Sequence, residues 1–319
     1  MLSRTADHLF WFSRYIERAE NTARMLDIAY QTSLQPQSAE ASEQSWRSLV
    51  SISELNSLYG TKYPAINGRS VMAFMVADEA NASSIYNCLR AARENARAVR
   101  GSLTTEVWET MNQTWLEFCK LLREGALTRD PSALFEWVKY RSHLSRGVTV
   151  GTMLQDEAFH FLRIGSFLER ADNTARLLDV KFYRHEGDTS TDPDAARDFY
   201  YWSAVLRSVS GFEIYRKVYS NVIQPDKVAE LLILRPDMPR SLSHCVTRML
   251  ANLRRVANPQ SGETLRRVGR LEAELAFGRI DEILATGLHP FLDGFLAEVG
   301  DLGAGISRDF LVPSTSDTP

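Results

Sequence analysis

A stretch that occurs twice constrains this chain more than anything else in it. Residues 14–27 read RYIERAENTARMLD, and 152 residues later residues 166–179 read SFLERADNTARLLD. From Glu17 to Asp27 nine of eleven positions are identical, and the two exceptions, Glu20/Asp172 and Met25/Leu177, keep their chemical character. The correspondence continues beyond the motif. Trp202 and Tyr215 match Trp46 and Tyr59 at an offset of 156, and Ser241, Leu242, Cys245, Asn252 and Arg254 match Ser84, Ile85, Cys88, Asn95 and Arg97 at 157. So small a drift indicates duplication of a unit of about 155 residues, whereas a solenoid would show many short periods.

Hydrophobic periodicity assigns the class. On a helical wheel Phe12, Tyr15, Ala19, Ala23, Leu26 and Tyr30 share one face of a helix from about Asp7 to Thr32. Arg14, Glu17, Glu20, Asn21, Arg24 and Asp27 fill an opposing arc of roughly 140°. Further helical periods cover 46–59 (stopped by Gly60), 82–100, 104–122 (closed by Gly125), and Pro131 to about 146. Between them GTKYPAINGR (60–69) reads as a loop and Val71–Ala77 as a short apolar element. From Thr152 the order restarts with the second ER helix and the polar linker RHEGDTSTDPD. Helices then begin near Asp194 and cover 263–276, a short stretch from Arg279, and 290–302. No segment alternates with the period of a strand. The expected fold is all-α: two helical-bundle repeats, 1–150 and 151–310, packed about a pseudo-two-fold axis around a shared core, followed by a disordered tail at 311–319. The match lapses at Trp108, Glu109 and Asn112, where the second unit has Leu265, Arg266 and Gly269, so an asymmetric site is expected on that side.

Composition narrows the classes of partner. A net charge of -3 gives no global reason to expect nucleic-acid binding. Arginine supplies 31 of the 37 basic residues, and its planar fork suits bidentate carboxylate contacts, although genome base composition explains the bias equally well. Cys88, Cys119 and Cys245 are far apart, which argues against a disulfide framework and for a reducing compartment. Asp7, Arg14 and Glu17 interrupt any signal segment at the start, and the seven apolar residues of 71–77 are too few to span a bilayer. The expectation is a cytoplasmic protein with no membrane or nucleic-acid partner.

The polar arc admits three readings. It is a solvated face held by Glu20–Arg24 and Asp172–Arg176 pairs at i,i+4; or a buried ionic network joining Glu17, Arg18, Glu169 and Arg170; or a pocket whose arginines take a carboxylate or phosphate and whose glutamates take an amine. The last would suit an amino acid or a peptide end. Two diverged copies have kept the arc in register, which favours the network over the solvated face. Glu157 and His160 form an E-x-x-H, but the first unit has Thr5 in place of Glu157, so no paired metal motif exists. His8 falls on the apolar face and reads as a hydrogen-bonded core residue. H-E-x-x-H, G-x-S-x-G, Walker A and G-x-G-x-x-G are absent, so neither a metal nor a cofactor is expected. The arginine-rich stretch 248–270 reads as a face paired with Glu263, Glu272 and Glu274.

The start MLSRTADHLFWFSRYIERAENTARMLD, the stretch ARENARAVRGSLTTEVWETMN (92–112) and GSFLERADNTARLLD from Gly165 resemble the bacterial alpha-E domain family up to about Asp309. The resemblance implies an all-helical protein encoded beside, or fused to, a circularly permuted ATP-grasp protein. A transglutaminase-like protease often accompanies it, and a proteasome-like peptidase sometimes does. It further implies a role in the synthesis or modification of small peptides, as the partner subunit of an amide ligase rather than as a catalyst alone. Glu17-Arg18 and Glu169-Arg170 carry over onto the family motif, as do Arg93, Asn95, Arg97 and Arg100; Asn21, Arg24, Asn173 and Arg176 complete the polar cluster. Two other classes stay open: an independent enzyme using Glu17 or Glu169 as acid/base, and a scaffold without a ligand.

Overall fold

The computed structural model describes residues 1–36, 38–186, 195–219 and 222–311. Most of the polar linker and of the tail expected to be disordered therefore lie outside the described residues. Among the described residues helices are the only regular secondary structure. The first half comprises α1 (Ser3–Ser33), α2 (Ala39–Ile52), α3 (Asn56–Lys62), α4 (Gly68–Val76), α5 (Ile85–Ala98), α6 (Thr105–Arg123), α7 (Ala126–Arg129) and α8 (Pro131–Thr152). The second comprises α9 (Glu157–Glu186), α10 (Ala195–Ser208), α11 (Phe212–Tyr219), α12 (Pro225–Ile233), α13 (Leu242–Arg255), α14 (Gly262–Phe277), α15 (Ile280–Thr286) and α16 (Leu288–Phe310).

Local chemistry sets many of the boundaries. Ser38, Ser84, Thr104, Asp130 and Ser241 each accept a backbone N–H at a helix start, and Pro131 and Pro225 occupy first turns. Several expected boundaries differ; the first helix starts at Ser3 and the last runs from Leu288 to Phe310, beyond the expected 290–302. The helix expected over 46–59 breaks at Ser53–Leu55, because Glu54 adopts a left-handed conformation with φ 55°. The loop expected over 60–69 shrinks, since α3 runs to Lys62 and a capping box between Asn67 and Ser70 starts α4 at Gly68. Finally, α8 continues past Arg146 to Thr152, because Ser142, Ser145 and Thr149 recur at helical spacing on its buried side.

The two ER helices, α1 and α9, pack directly against each other at the centre. Helix α1 also carries α5 and α8, with α6 behind them; α9 carries α13 and α16, with α14 behind. The short helical regions exchange sides: α2 reaches α9, and α10 reaches α1. Leu9, Phe10, Phe12, Phe167, Leu168 and Trp202 are among the side chains this arrangement buries in one continuous core.

The α1–α9 contact is close enough to demand glycine. A Cβ at Gly165 would fall well inside van der Waals contact of the Phe10 carbonyl oxygen and the Ser13 hydroxyl, and Ser13 is the residue aligned with Gly165 in the repeat. Gly165→Ala should therefore cost about 1–3 kcal/mol or more through forced separation of the helices. Gly60→Ala, inside α3 with open space around it, should be neutral or stabilising by up to about 1 kcal/mol. Urea unfolding of both variants checks this: equal stability of the two would show that the close approach is not required.

Candidate functional site

The polar arc of α1 does not face water. Glu17, Glu20, Asn21, Arg24 and Asp27 are all buried, as are Glu169 and Arg170 on α9. Burying so much charge is tolerable only if each group is paired and its hydrogen bonds are satisfied, and at Glu17 and Glu169 the two ER motifs supply partners for each other.

Across the helix contact, Arg170 Nε and Nη2 donate to Glu17 Oε1 and Oε2 at 2.9 and 2.8 Å. In the reciprocal direction, Arg18 Nε and Nη2 donate to Glu169 Oε1 and Oε2 at 2.6 and 3.0 Å. Both are bidentate forks, the strongest geometry available to an arginine–carboxylate pair. Arg14 Nε adds a bond to Glu169 Oε2 at 2.8 Å. On the other side Arg240, from the turn before α13, bridges Glu17 Oε1 (3.0 Å), Asn21 Oδ1 (2.8 Å) and Glu20 Oε1 (2.5 Å). Glu20 further accepts from Arg24, from the Ser142 hydroxyl at 2.6 Å and from Arg146, which also reaches Glu17.

The surroundings hold these carboxylates ionised. Burial disfavours the charge on Glu17, but Arg170, Arg240 and Arg146 outweigh both that and the repulsion of Glu20, holding its pKa down from 4.5 to about 2. Glu20 and Glu169 are likewise lowered: burial is opposed by Arg240, Arg146 and Arg24 around Glu20, and by Arg14 and Arg18 around Glu169.

Further contacts tie each ER helix to the opposite half. Arg24 donates to the Ser210 hydroxyl at 2.5 Å, while Arg176 pairs with Asp172 and with Glu54. Ser210, with φ 53°, and Glu54 are the two non-glycine residues in left-handed conformation among those described, and they align in the repeat at an offset of 156. His8 and His160 also behave alike: their Nδ1 atoms bond to Asn95 Oδ1 and Asn252 Oδ1 at 2.7 and 2.8 Å. His160 is thus engaged away from Glu157, which bonds to the Met1 amine.

Of the twelve residues singled out from sequence, Glu17, Arg18, Asn21, Arg24, Glu169 and Arg170 meet in this network. Arg176 extends it, and Asn173 lies half-buried beside it. Asn95 fixes His8. Arg93, Arg97 and Arg100 form a separate group: Arg93 bonds to Asn112 and Glu94, Arg97 to Glu94, and Arg100 stacks on Trp108 at 4.8 Å. Around Trp108, where the repeat lapses, the structure has an arginine–tryptophan stack apart from the network. The 248–270 face pairs with two of its expected partners, Arg266 with Glu263 and Arg270 with Glu274, and also reaches α16 through Arg267 with Asp301 and Arg270 with Glu298.

Arg146, Arg240 and Ser142 complete the network without having been singled out. A signal for Arg240 exists in the repeat, since it immediately precedes the matched Ser241 and stands where the first half has Ser83. Arg146 and Ser142 have no motif; only the packing of α8 on α1 brings them in.

A central pair of helices that exchange Glu-Arg forks defines an all-helical protein organised around duplicated ER motifs. The chain belongs to the Alpha-E family, described as a predicted alpha-helical domain with a conserved ER motif, whose model matches residues 1–311. It is similar to uncharacterized proteins of Mycobacterium bovis and Mycobacterium tuberculosis, each 25% identical over 328 residues, covering 95% of this chain and 35% of theirs. The chain thus spans about a third of the length of the curated relatives it matches. No solved structure matches it. Among the described residues no helix is long and apolar enough to cross a membrane.

Because the folded pKa of Glu17 lies below its ordinary value, its contribution to stability is complete above pH 4.5 and declines as pH falls from there through about 2. Glu20 and Glu169, lowered likewise, act in the same direction. Glu17→Gln should cost about 3–5 kcal/mol at neutral pH, because Arg170 and Arg240 lose their buried counter-charge. It should also flatten the acid limb of the stability–pH profile. Denaturant titrations between neutral pH and acid check both; an unchanged acid limb would mean that Glu17 is not a linked group.

Proposed function

We propose that this chain is the helical partner subunit of an ATP-grasp amide ligase acting on small peptides, and that it shapes or gates the ligase's substrate site without performing phosphoryl transfer. The observation that carries this reading is the state of the ER carboxylates. Glu17, Glu20 and Glu169 are buried, chelated by arginines and held ionised, whereas a general acid or base works best with a pKa near the working pH. The two aligned thiols fit the same reading: burial pushes Cys88 and Cys245 up to about 12, leaving little thiolate at neutral pH. Within the proposal, 1–150 and 151–310 act as two repeats closed into one unit by the ER forks.

Two further points support a partner role. The resemblance to the alpha-E family associates such chains with a circularly permuted ATP-grasp protein and, in some cases, with a transglutaminase-like protease and a proteasome-like peptidase. The curated relatives are nearly three times as long as the matched region, so in them this unit is one part of a larger protein.

The test is reconstitution. The chain should co-purify with a co-expressed circularly permuted ATP-grasp protein, and ATP-dependent amide formation should fall sharply when either is omitted. Full ligase activity without this chain overturns the proposal. Turnover by the isolated chain that Glu169→Gln abolishes at unchanged melting temperature would replace it with the independent-enzyme reading.

A further inference from the structure

The Glu17 end of the network holds more positive charge than its carboxylates neutralise. Arg24, Arg146, Arg170 and Arg240 share Glu17 and Glu20, and Arg163 and Arg248 stand near enough to act on the same groups. Arg163 is the informative member. It stacks on Phe167, with its guanidinium carbon 4.5 Å from the ring centroid, and makes no hydrogen bond or ion pair among the described residues. Burial lowers its pKa to about 10, and repulsion from Arg170, Arg146 and Arg248 exceeds what Glu17 returns. The neighbouring imidazoles feel the same field. His143 is lowered by burial and then by Arg146, Arg24 and Arg240 against Glu20; His244 is lowered by burial and by Arg248, Arg170 and Arg163 against its bond to the Pro236 carbonyl.

Arg163 lines a cleft between α1, α8 and α9 together with Ser13, Glu17, Ser145, Arg146 and Ser166. The Ser13 hydroxyl is committed to the Phe10 carbonyl, and Arg146 to Glu17 and Glu20. The Ser145 and Ser166 hydroxyls have no hydrogen bond among the described residues, so with Arg163 they form a set of uncommitted donors. The cavity measures about 30 Å³, room for a water or two or for the oxygens of one small group, but not for a peptide. In the aligned positions of the first half, Trp11 stands for Arg163 and Arg14 for Ser166. There Arg14 stacks on Trp11 and bonds to Glu169 across the helix contact, so its charge already has a carboxylate partner.

We propose that the cleft between α1, α8 and α9 is an oxyanion site, in which the Arg163 guanidinium and the Ser145 and Ser166 hydroxyls bind a carboxylate or a phosphate group. A guanidinium fork and two hydroxyl donors match the oxygens of either, and the bound charge offsets the arginine surplus. The site does not rest on the ligase reading.

The experiment is thermal unfolding of the full chain in buffer free of competing anions, titrated separately with inorganic phosphate and with acetylglycine, with acetylglycinamide as the uncharged control. At least one of the two anions should raise the melting temperature saturably, while the amide does not. A response to phosphate alone assigns the site to phosphate ligands; a response to acetylglycine alone assigns it to carboxylates. Arg163→Met removes the cation without stranding any carboxylate. It should melt at or above the wild-type temperature without anion, and bind the effective anion more weakly by roughly ten-fold or more. No stabilisation of the wild type by either anion overturns the proposal, as does an undiminished response in Arg163→Met. Should that variant fail to fold, the Ser145→Ala/Ser166→Ala pair decides: weakened binding supports the site and unchanged binding overturns it.

Discussion

The exchange of guanidinium forks between α1 and α9 is the interaction on which the rest of the structure depends. Each ER helix offers a glutamate to the other's arginine, so Glu17–Arg170 and Arg18–Glu169 cross one helix contact in opposite directions. Such pairs do not by themselves make a protein stable, because the cost of removing both charges from water is of the same order as their attraction. Their effect here is selective. Sliding α1 along α9 by one turn would break both forks, and the close approach at Gly165 fixes the same register sterically.

The network is also lopsided, and the imbalance has a source in individual residues. Around Glu169 the arginines come from α1 itself, Arg14 and Arg18, both of them partly exposed. Around Glu17 and Glu20 they come from four segments: Arg24 from α1, Arg146 from α8, Arg170 from α9 and Arg240 from the turn before α13. The reciprocal forks are thus flanked on one side by cations that the other side lacks. Structural pairing and ligand recognition are adjacent here, the forks serving the first and the leftover arginine suited to the second.

Much of this was legible in the sequence because repetition shows which polar residues matter. The all-α class followed from the 3.6 period, and the meeting of Glu17, Arg18, Glu169 and Arg170 from two copies of one motif. What stayed hidden has physical causes. The break at Glu54 depends on a left-handed backbone that no glycine or proline announces. Arg146, Ser142 and Arg163 belong to helices whose local patterns are ordinary, and their roles arise only from the packing of α8 and α9 on α1. Arg93, Arg97 and Arg100 share the family stretch yet sit apart, stacked and paired around Trp108 and Glu94, because α5 turns that face toward α6 rather than toward α9.

The contacts of Arg24 with Ser210 and of Arg176 with Glu54 bear on how such a chain reaches its native state. Each left-handed corner, the point where a half reverses direction, is gripped by an arginine belonging to the other half. Each half thus draws one contact at its corner from the other. The Arg176–Glu54 contact can form only once the second ER helix has been made, so part of what holds the first corner arrives late in synthesis. Severing the chain between the two ER helices would therefore remove one corner contact from each half.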